Sequence, residues 1–157
     1  MDIHTIAKRT RLPTRKIRYV LDHRLLPGMR VKTDADRLGH PRSFTDLEGF
    51  GIACAATLLV GGVKRDAAFH FMESLCSYVW DEPRKQRRSL TILEKAFASP
   101  APVSACALFG DGLNVRFRIG SRDTNWLQPG TFAELKQFCP RLTICLDLGR
   151  LRDALRD

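Results

Sequence analysis

Residues 12–28 constrain this chain most. Leu12-Pro13-Thr14 reads as a tight turn, and Thr14 can cap a helix that follows it. On that helix Ile17, Val20 and Leu21 fall at i, i+3 and i+4 and make one apolar face. Arg15, Lys16, Arg18 and Tyr19 lie mostly elsewhere around it, so the faces left over are almost purely cationic. Leu25-Leu26-Pro27-Gly28 ends the unit, and Thr5 can cap a short preceding helix that holds Ile6 and Ala7. A basic helix face is in many proteins only a solvated face, so its neighbours along the chain decide what it means.

Those neighbours form a regular series. Residues 29–44 are polar, carry Gly39 and Pro41, and read as a hairpin with strands near 29–32 and 42–44. Thr45-Asp46-Leu47-Glu48 is a capping-box pattern in front of an Ala/Leu-rich helix over 47–60, which Gly61-Gly62 breaks. A further helix is expected over 64–80, with Ala67, Phe71, Leu75 and Val79 spaced four apart. Residues 81–88 are charged and expected to be exposed, with a short helix over 89–98. Ser99-Pro100-Ala101-Pro102 is the best candidate linker. Beyond it, 103–109 and 113–119 are strand-like around Gly110-Asp111-Gly112, and Arg116 and Arg118 alternate with Val115, Phe117 and Ile119. A helix over 131–138, a strand over 142–148 and a closing helix over 151–156 complete a small α+β pattern.

The expected fold class is therefore a mainly α N-terminal domain, built as a winged helix-turn-helix, followed by a small α+β C-terminal domain. The expected division is residues 1–80 for the first, 81–99 for a charged connector and 100–157 for the second.

The chain carries a formal net charge of +9 over 157 residues, and the surplus is uneven. Residues 1–48 hold 11 Lys/Arg against 6 Asp/Glu, whereas 49–99 hold 7 against 5 and 100–157 hold 8 against 6. A basic excess concentrated in the first third points to a polyanion as partner. The polar start Met1-Asp2-Ile3-His4 leads to the expectation of no secretory signal, and no apolar run nears the roughly 20 residues of a membrane helix. Five cysteines, an odd count, fit reduced thiols, so a cytoplasmic protein with no membrane association is expected.

The residues also carry a resemblance. Ile6-Ala7-Lys8-Arg9-Thr10, then Pro13-Thr14-Arg15-Lys16-Ile17-Arg18-Tyr19-Val20, then Leu25-Leu26-Pro27 resemble the helix-turn-helix of MerR-type regulators. Gly39-His40-Pro41-Arg42-Ser43-Phe44 resembles that family's second wing strand, and Thr45-Asp46-Leu47 with Gly62-Val63 resembles the two helices that follow and the turn between them. The likeness covers about residues 1–77. It implies a double-stranded DNA partner, with Arg18 and Tyr19 as phosphate contacts. The family's long dimerisation helix is not matched, because Asp81, Pro83 and the cluster at 84–88 interrupt any such helix.

In a helix-turn-helix the second helix enters the major groove and its early residues reach base edges. Those positions are Thr14, Arg15, Lys16 and Arg18. Arg15 or Lys16 suits the two acceptors of guanine, and Thr14 can offer a hydroxyl and a backbone N–H to a phosphate. Lys32, His40 and Arg42 on the wing are expected in the minor groove or on the flanking backbone. The expected function is sequence-specific transcriptional regulation. The alternatives are an excisionase-like architectural DNA-binding factor and a cysteine-based metal or redox sensor of the MerR type. For the sensor, Cys139 and Cys145 flank Pro140-Arg141-Leu142-Thr143-Ile144, a spacing unlike a tight CxxC knuckle, and Cys145 sits in an apolar strand pattern.

No metal site or cofactor is expected. His4, His23, His40 and His70 show no ligand spacing, and no glycine-rich phosphate loop follows a strand, so no enzymatic activity is expected. A DNA reader of this size gains affinity by pairing two half-sites. A homodimer is expected, joined through the C-terminal strands or the helix over 64–80, with the C-terminal domain open to a protein partner.

Overall fold

The computed structural model describes residues 1–27, 43–76, 78–81, 86–98, 103–109, 115–121 and 142–156. Among the described residues the chain is mainly helical. The helices are α1 (Ile3–Thr10), α2 (Thr14–Asp22), α3 (Asp46–Val60), α4 (Arg65–Cys76), α5 (Ile92–Ala98) and α6 (Leu148–Arg156). The strands are β1 (Tyr78–Asp81), β2 (Gln86–Thr91), β3 (Val103–Phe109), β4 (Val115–Ser121) and β5 (Leu142–Asp147). No described helix is long and apolar enough to cross a membrane.

Local chemistry sets most helix ends. Asp2, not Thr5, caps α1: its carboxylate accepts the Thr5 backbone N–H at 2.7 Å, and that bond holds Asp2 below the usual carboxylate range. Thr14 does not cap α2; it is the first helical residue, behind Pro13, whose fixed φ suits a helix entry but offers no side-chain acceptor. The expected capping box at α3 is present, with Thr45 Oγ1 accepting from Glu48 N and Glu48 Oε2 accepting from Thr45 N. Gly62, at φ +86°, closes α3: its own N–H bonds to Leu59 O, and the Val63 N–H bonds to Leu58 O at 3.0 Å.

The helix expected over 64–80 is shorter, running Arg65–Cys76. Tyr78-Val79-Trp80 is a strand instead, as suits aromatic and β-branched residues, and pairs antiparallel with β2 in the register Trp80↔Arg87 and Asp81↔Gln86. The expected exposed segment at 81–88 thus contributes to a two-stranded sheet. The short helix begins at Ile92 rather than 89, because Thr91 caps it: Thr91 Oγ1 accepts from Glu94 N and Glu94 Oε2 accepts from Thr91 N. The strand expected over 103–109 is present as drawn, and its partner lies slightly later than expected. β4, β3 and β5 form an antiparallel sheet in that order, with Phe109↔Val115 and Ala107↔Phe117 in register on one side and Ala105↔Leu146 on the other. The hairpin strand expected at 29–32, residue 42 of the strand expected at 42–44, the linker at 99–102 and the helix expected at 131–138 lie outside the described residues, and Ser43 and Phe44 form no strand.

Apolar burial joins these pieces into one core. α3 is buried on nearly every side, with Phe50, Ile52, Ala53, Cys54, Ala55, Ala56 and Leu58 fully covered. A helix hydrophobic all round belongs at the centre. α2 and α4 pack on it, and so does α6, which also lies against α1. Ile6, Ile17, Phe50, Leu93, Leu148 and Leu155 belong to a single buried cluster, so the core crosses the 81–99 segment that the sequence reading placed between two domains. Polar ties follow the same route. Arg9 donates to the Leu155 carbonyl, buried Arg152 donates to Ala96 O, and Arg156 donates to Phe97 O while its guanidinium lies 5.0 Å from the Phe97 ring centroid.

Candidate nucleic-acid interface

α1 and α2 are joined by Arg11, Leu12 and Pro13, with Arg11 in the left-handed region at φ 58°. Ile17, Val20 and Leu21 are buried against the core, which fixes the rotation of α2 about its axis. One turn per 3.6 residues then places Arg15, Arg18, Tyr19 and Asp22 on the opposite face, and all four are exposed. Thr14 and Lys16 lie at the margins and are half-buried. The expected contact set on α2 therefore divides: Arg15, Arg18 and Tyr19 point outward, while Thr14 and Lys16 flank them.

No ion pair to Arg15, Arg18 or Asp22 forms among the described residues. Tyr19 is 37% exposed and its ring stands 4.0 Å, centroid to centroid, from the His23 ring, at an interplanar angle of 41°. The N-terminus of α2 is also free of side-chain caps. Lys16 N and Ile17 N bond to Pro13 O, whereas the N–H groups of Thr14 and Arg15 find no acceptor among the described residues. Such an end presents unpaired donors and the positive end of the helix dipole.

α4 adds a cation that the sequence reading did not select. Arg65 opens that helix, is exposed, and bonds through Nε to Asp66 Oδ1 at 2.9 Å. The Asp66 bond and charge raise the Arg65 guanidinium above its ordinary value. Between the end of α2 and α4 is a cleft of about 330 Å³ lined by His23, Leu25, Arg65, Asp66, Phe69 and His70. His70 Nδ1 lies 3.3 Å from Glu73 Oε2. Lone arginines at helix starts are too common for the sequence to single one out; only the fold brings Arg65 into a cleft with His23, just past the end of α2.

Lys32, His40 and Arg42, expected on a wing, lie outside the described residues. The chain re-enters beside the start of α1: Phe44 is buried, its N–H donates to Met1 O at 2.7 Å and its carbonyl accepts from Met1 N at 2.5 Å.

The cysteines divide in the same way. Cys54 and Cys76 are free thiols buried in the core. Burial pushes the Cys76 thiol up to about 12, with the Glu94 charge adding, and pushes Cys54 well above its ordinary value, with Cys76 adding. Protonated, buried thiols are poor nucleophiles and poor metal ligands. Cys139 lies outside the described residues, and Cys145 stands opposite Cys106 in the β3–β5 register. Among the described residues no group of three or more His, Cys, Asp or Glu side chains could hold a metal ion. No family model, curated protein or solved structure matches the chain.

Proposed function

We propose that this chain is a sequence-specific double-stranded DNA-binding protein that regulates transcription, built on the winged helix-turn-helix plan of MerR-type regulators, with α2 as the recognition helix. One observation carries the reading: the buried face of α2 turns Arg15, Arg18 and Tyr19 outward together, with no protein partner for either arginine among the described residues. Desolvating an arginine is costly unless it is paired, and a guanidinium fork matches either a phosphate or the two acceptors of guanine. The uncapped start of α2 supports the same partner, because free N–H groups and the helix dipole both favour a phosphate. The net charge of +9 supports it at longer range by steering the protein toward a polyanion.

In this proposal Arg15 reads a base edge, Arg18 and Tyr19 fix register on the backbone, and Thr14 and Lys16 border the groove. Lys32, His40 and Arg42 add wing contacts. The protein acts in the cytoplasm as a homodimer that pairs two half-sites, with the C-terminal α+β part serving assembly or a protein partner.

Capture of genomic DNA fragments, with sequencing at low and at physiological salt, tests the reading. The expected result is a recurrent motif retained at physiological salt near promoters. Retained motifs clustered at recombination junctions make the protein an architectural factor of the excisionase kind instead. Binding without a motif, lost as salt rises, overturns sequence-specific recognition and leaves only the charge.

A further inference from the structure

Two residues flank α2 in a backbone conformation that side chains disfavour. Arg11 (φ 58°) opens the turn into α2, and Arg24 (φ 50°) follows its C-cap, His23; they are the positive-φ non-glycine residues among those described. The left-handed region crowds a Cβ against the following carbonyl, and glycine is the residue that adopts it without penalty.

This protein shows the alternative itself. α2 and α3 end in the same way. At α3, Gly62 takes positive φ, its N–H bonds to Leu59 O, and the next N–H bonds to Leu58 O. At α2, Arg24 takes positive φ, its N–H bonds to Leu21 O at 3.2 Å, and the next N–H, from Leu25, bonds to Val20 O at 3.0 Å. The hydrogen bonding is that of a Schellman motif in both, for which glycine is the usual closing residue. One end has glycine and the other arginine. Folding therefore does not account for the arginine at 24, nor for the one at 11, where the backbone likewise favours glycine.

Neither guanidinium finds a compensating partner among the described residues. Both arginines are exposed, and neither side chain has a hydrogen-bond or ion-pair partner among the described residues. Their places relative to α2 supply a use. The helix is nine residues long, which is about 13 Å, close to the roughly 12 Å width of the DNA major groove. If α2 lies across the groove, cations just beyond its two ends, at 11 and 24, come to the groove's two phosphate borders.

Resting on the DNA-binding reading above, we infer that Arg11 and Arg24 are a pair of phosphate contacts that bracket the recognition helix, kept at glycine-favouring positions for their charge. They act on affinity and salt dependence and carry no sequence information.

The test compares the full chain with Arg11→Gly, Arg24→Gly and the charge-keeping Arg11→Lys and Arg24→Lys, by thermal melting and by affinity for a mixed-sequence DNA duplex. Salt is varied over about 50 to 200 mM. The expected result is that each glycine variant melts no lower than the parent. Each loses about three- to tenfold in affinity and lowers the log–log salt slope by about 1, while the lysine variants keep the slope. Glycine variants with the parent's affinity and slope overturn the bracket and leave the DNA-binding reading standing. A glycine variant that melts lower also overturns it, because the backbone premise is then wrong. A parent chain that binds no duplex at low salt overturns the DNA-binding reading itself, and the bracket with it.

Discussion

The Arg9 guanidinium donates a hydrogen bond to the backbone carbonyl of Leu155, a residue 146 positions away, and so fastens the last helix to the first. The Leu155 side chain is 2% exposed and belongs to the same buried cluster as Ile6 and Ile17. Leu155→Ala removes buried apolar volume from a shared core and is expected to cost about 2 to 5 kcal/mol. Because the core is continuous, α1 to α3 should melt together with α6. Thermal unfolding followed by far-ultraviolet circular dichroism should show one transition moving down as a whole. Two transitions, with only a minor one shifted, would show that α6 is an appendage.

Thr45 and Glu48 bond reciprocally at the start of the central helix. Thr45→Ala removes the side-chain acceptor for Glu48 N and is expected to cost about 1 kcal/mol. For a chain of this size that lowers the melting temperature by roughly 2 to 4 °C. Thr45→Ser keeps the acceptor and should recover most of the loss.

How far the sequence carried depended on the range of the interactions. The amphipathic face of α2 and the α3 capping box were legible, because Ile17, Val20, Leu21 and Thr45 through Glu48 act within one or two turns of chain. Caps decided by competition were not: Asp2 and Thr5 are both good capping residues, and only the backbone geometry selects Asp2. Nor was the shortening of α4, where the pairing of Trp80 with Arg87 draws Tyr78-Val79-Trp80 out of a helical pattern. The attachment of α6 to α1 rests on contacts between opposite ends of the chain, for which no local signal exists. Likewise the outward direction of Arg15 and Arg18 could be read from periodicity, while the approach of Arg65 to His23 across the cleft required the packing of α4 on α3.

Cys76 links stability to alkaline pH. In the unfolded chain its thiol ionises near about 8.5, whereas in the folded protein burial and the nearby Glu94 raise it to about 12. The folded state therefore favours the protonated thiol. That contribution to stability is complete below the unfolded value and is lost as pH rises toward the folded one. Denaturant unfolding measured between about pH 8 and 10 should show stability falling with pH. Cys76→Ala should flatten the fall, although its stability at neutral pH is lower. An unchanged slope in that variant would remove Cys76 as the cause. Alkylation of the native protein at neutral pH should leave Cys54 and Cys76 unmodified, with both reacting after denaturation.

Asp22 is the one acidic residue on the outward face of α2, and it stands four residues from Arg18 and seven from Arg15 without pairing with either. In the proposed complex Asp22 would lie near the phosphate backbone, where a carboxylate repels, so it is expected to weaken contact with any duplex it does not match. Asp22→Asn should tighten binding to unrelated DNA more than to a selected target, which narrows the ratio between them. The arginines should behave oppositely. Arg15→Ala, if Arg15 reads a base, should cost roughly tenfold or more on the selected target and relax preference at one position. Arg18→Ala should weaken all duplexes alike and lower the salt slope by about 1. Fluorescence anisotropy on the selected and a scrambled duplex, at two salt concentrations, separates these outcomes. Unchanged affinity in both arginine variants, with folded protein by circular dichroism, would remove α2 as the reading element. Equal tightening of both duplexes by Asp22→Asn would make Asp22 a general brake on binding with no part in discrimination.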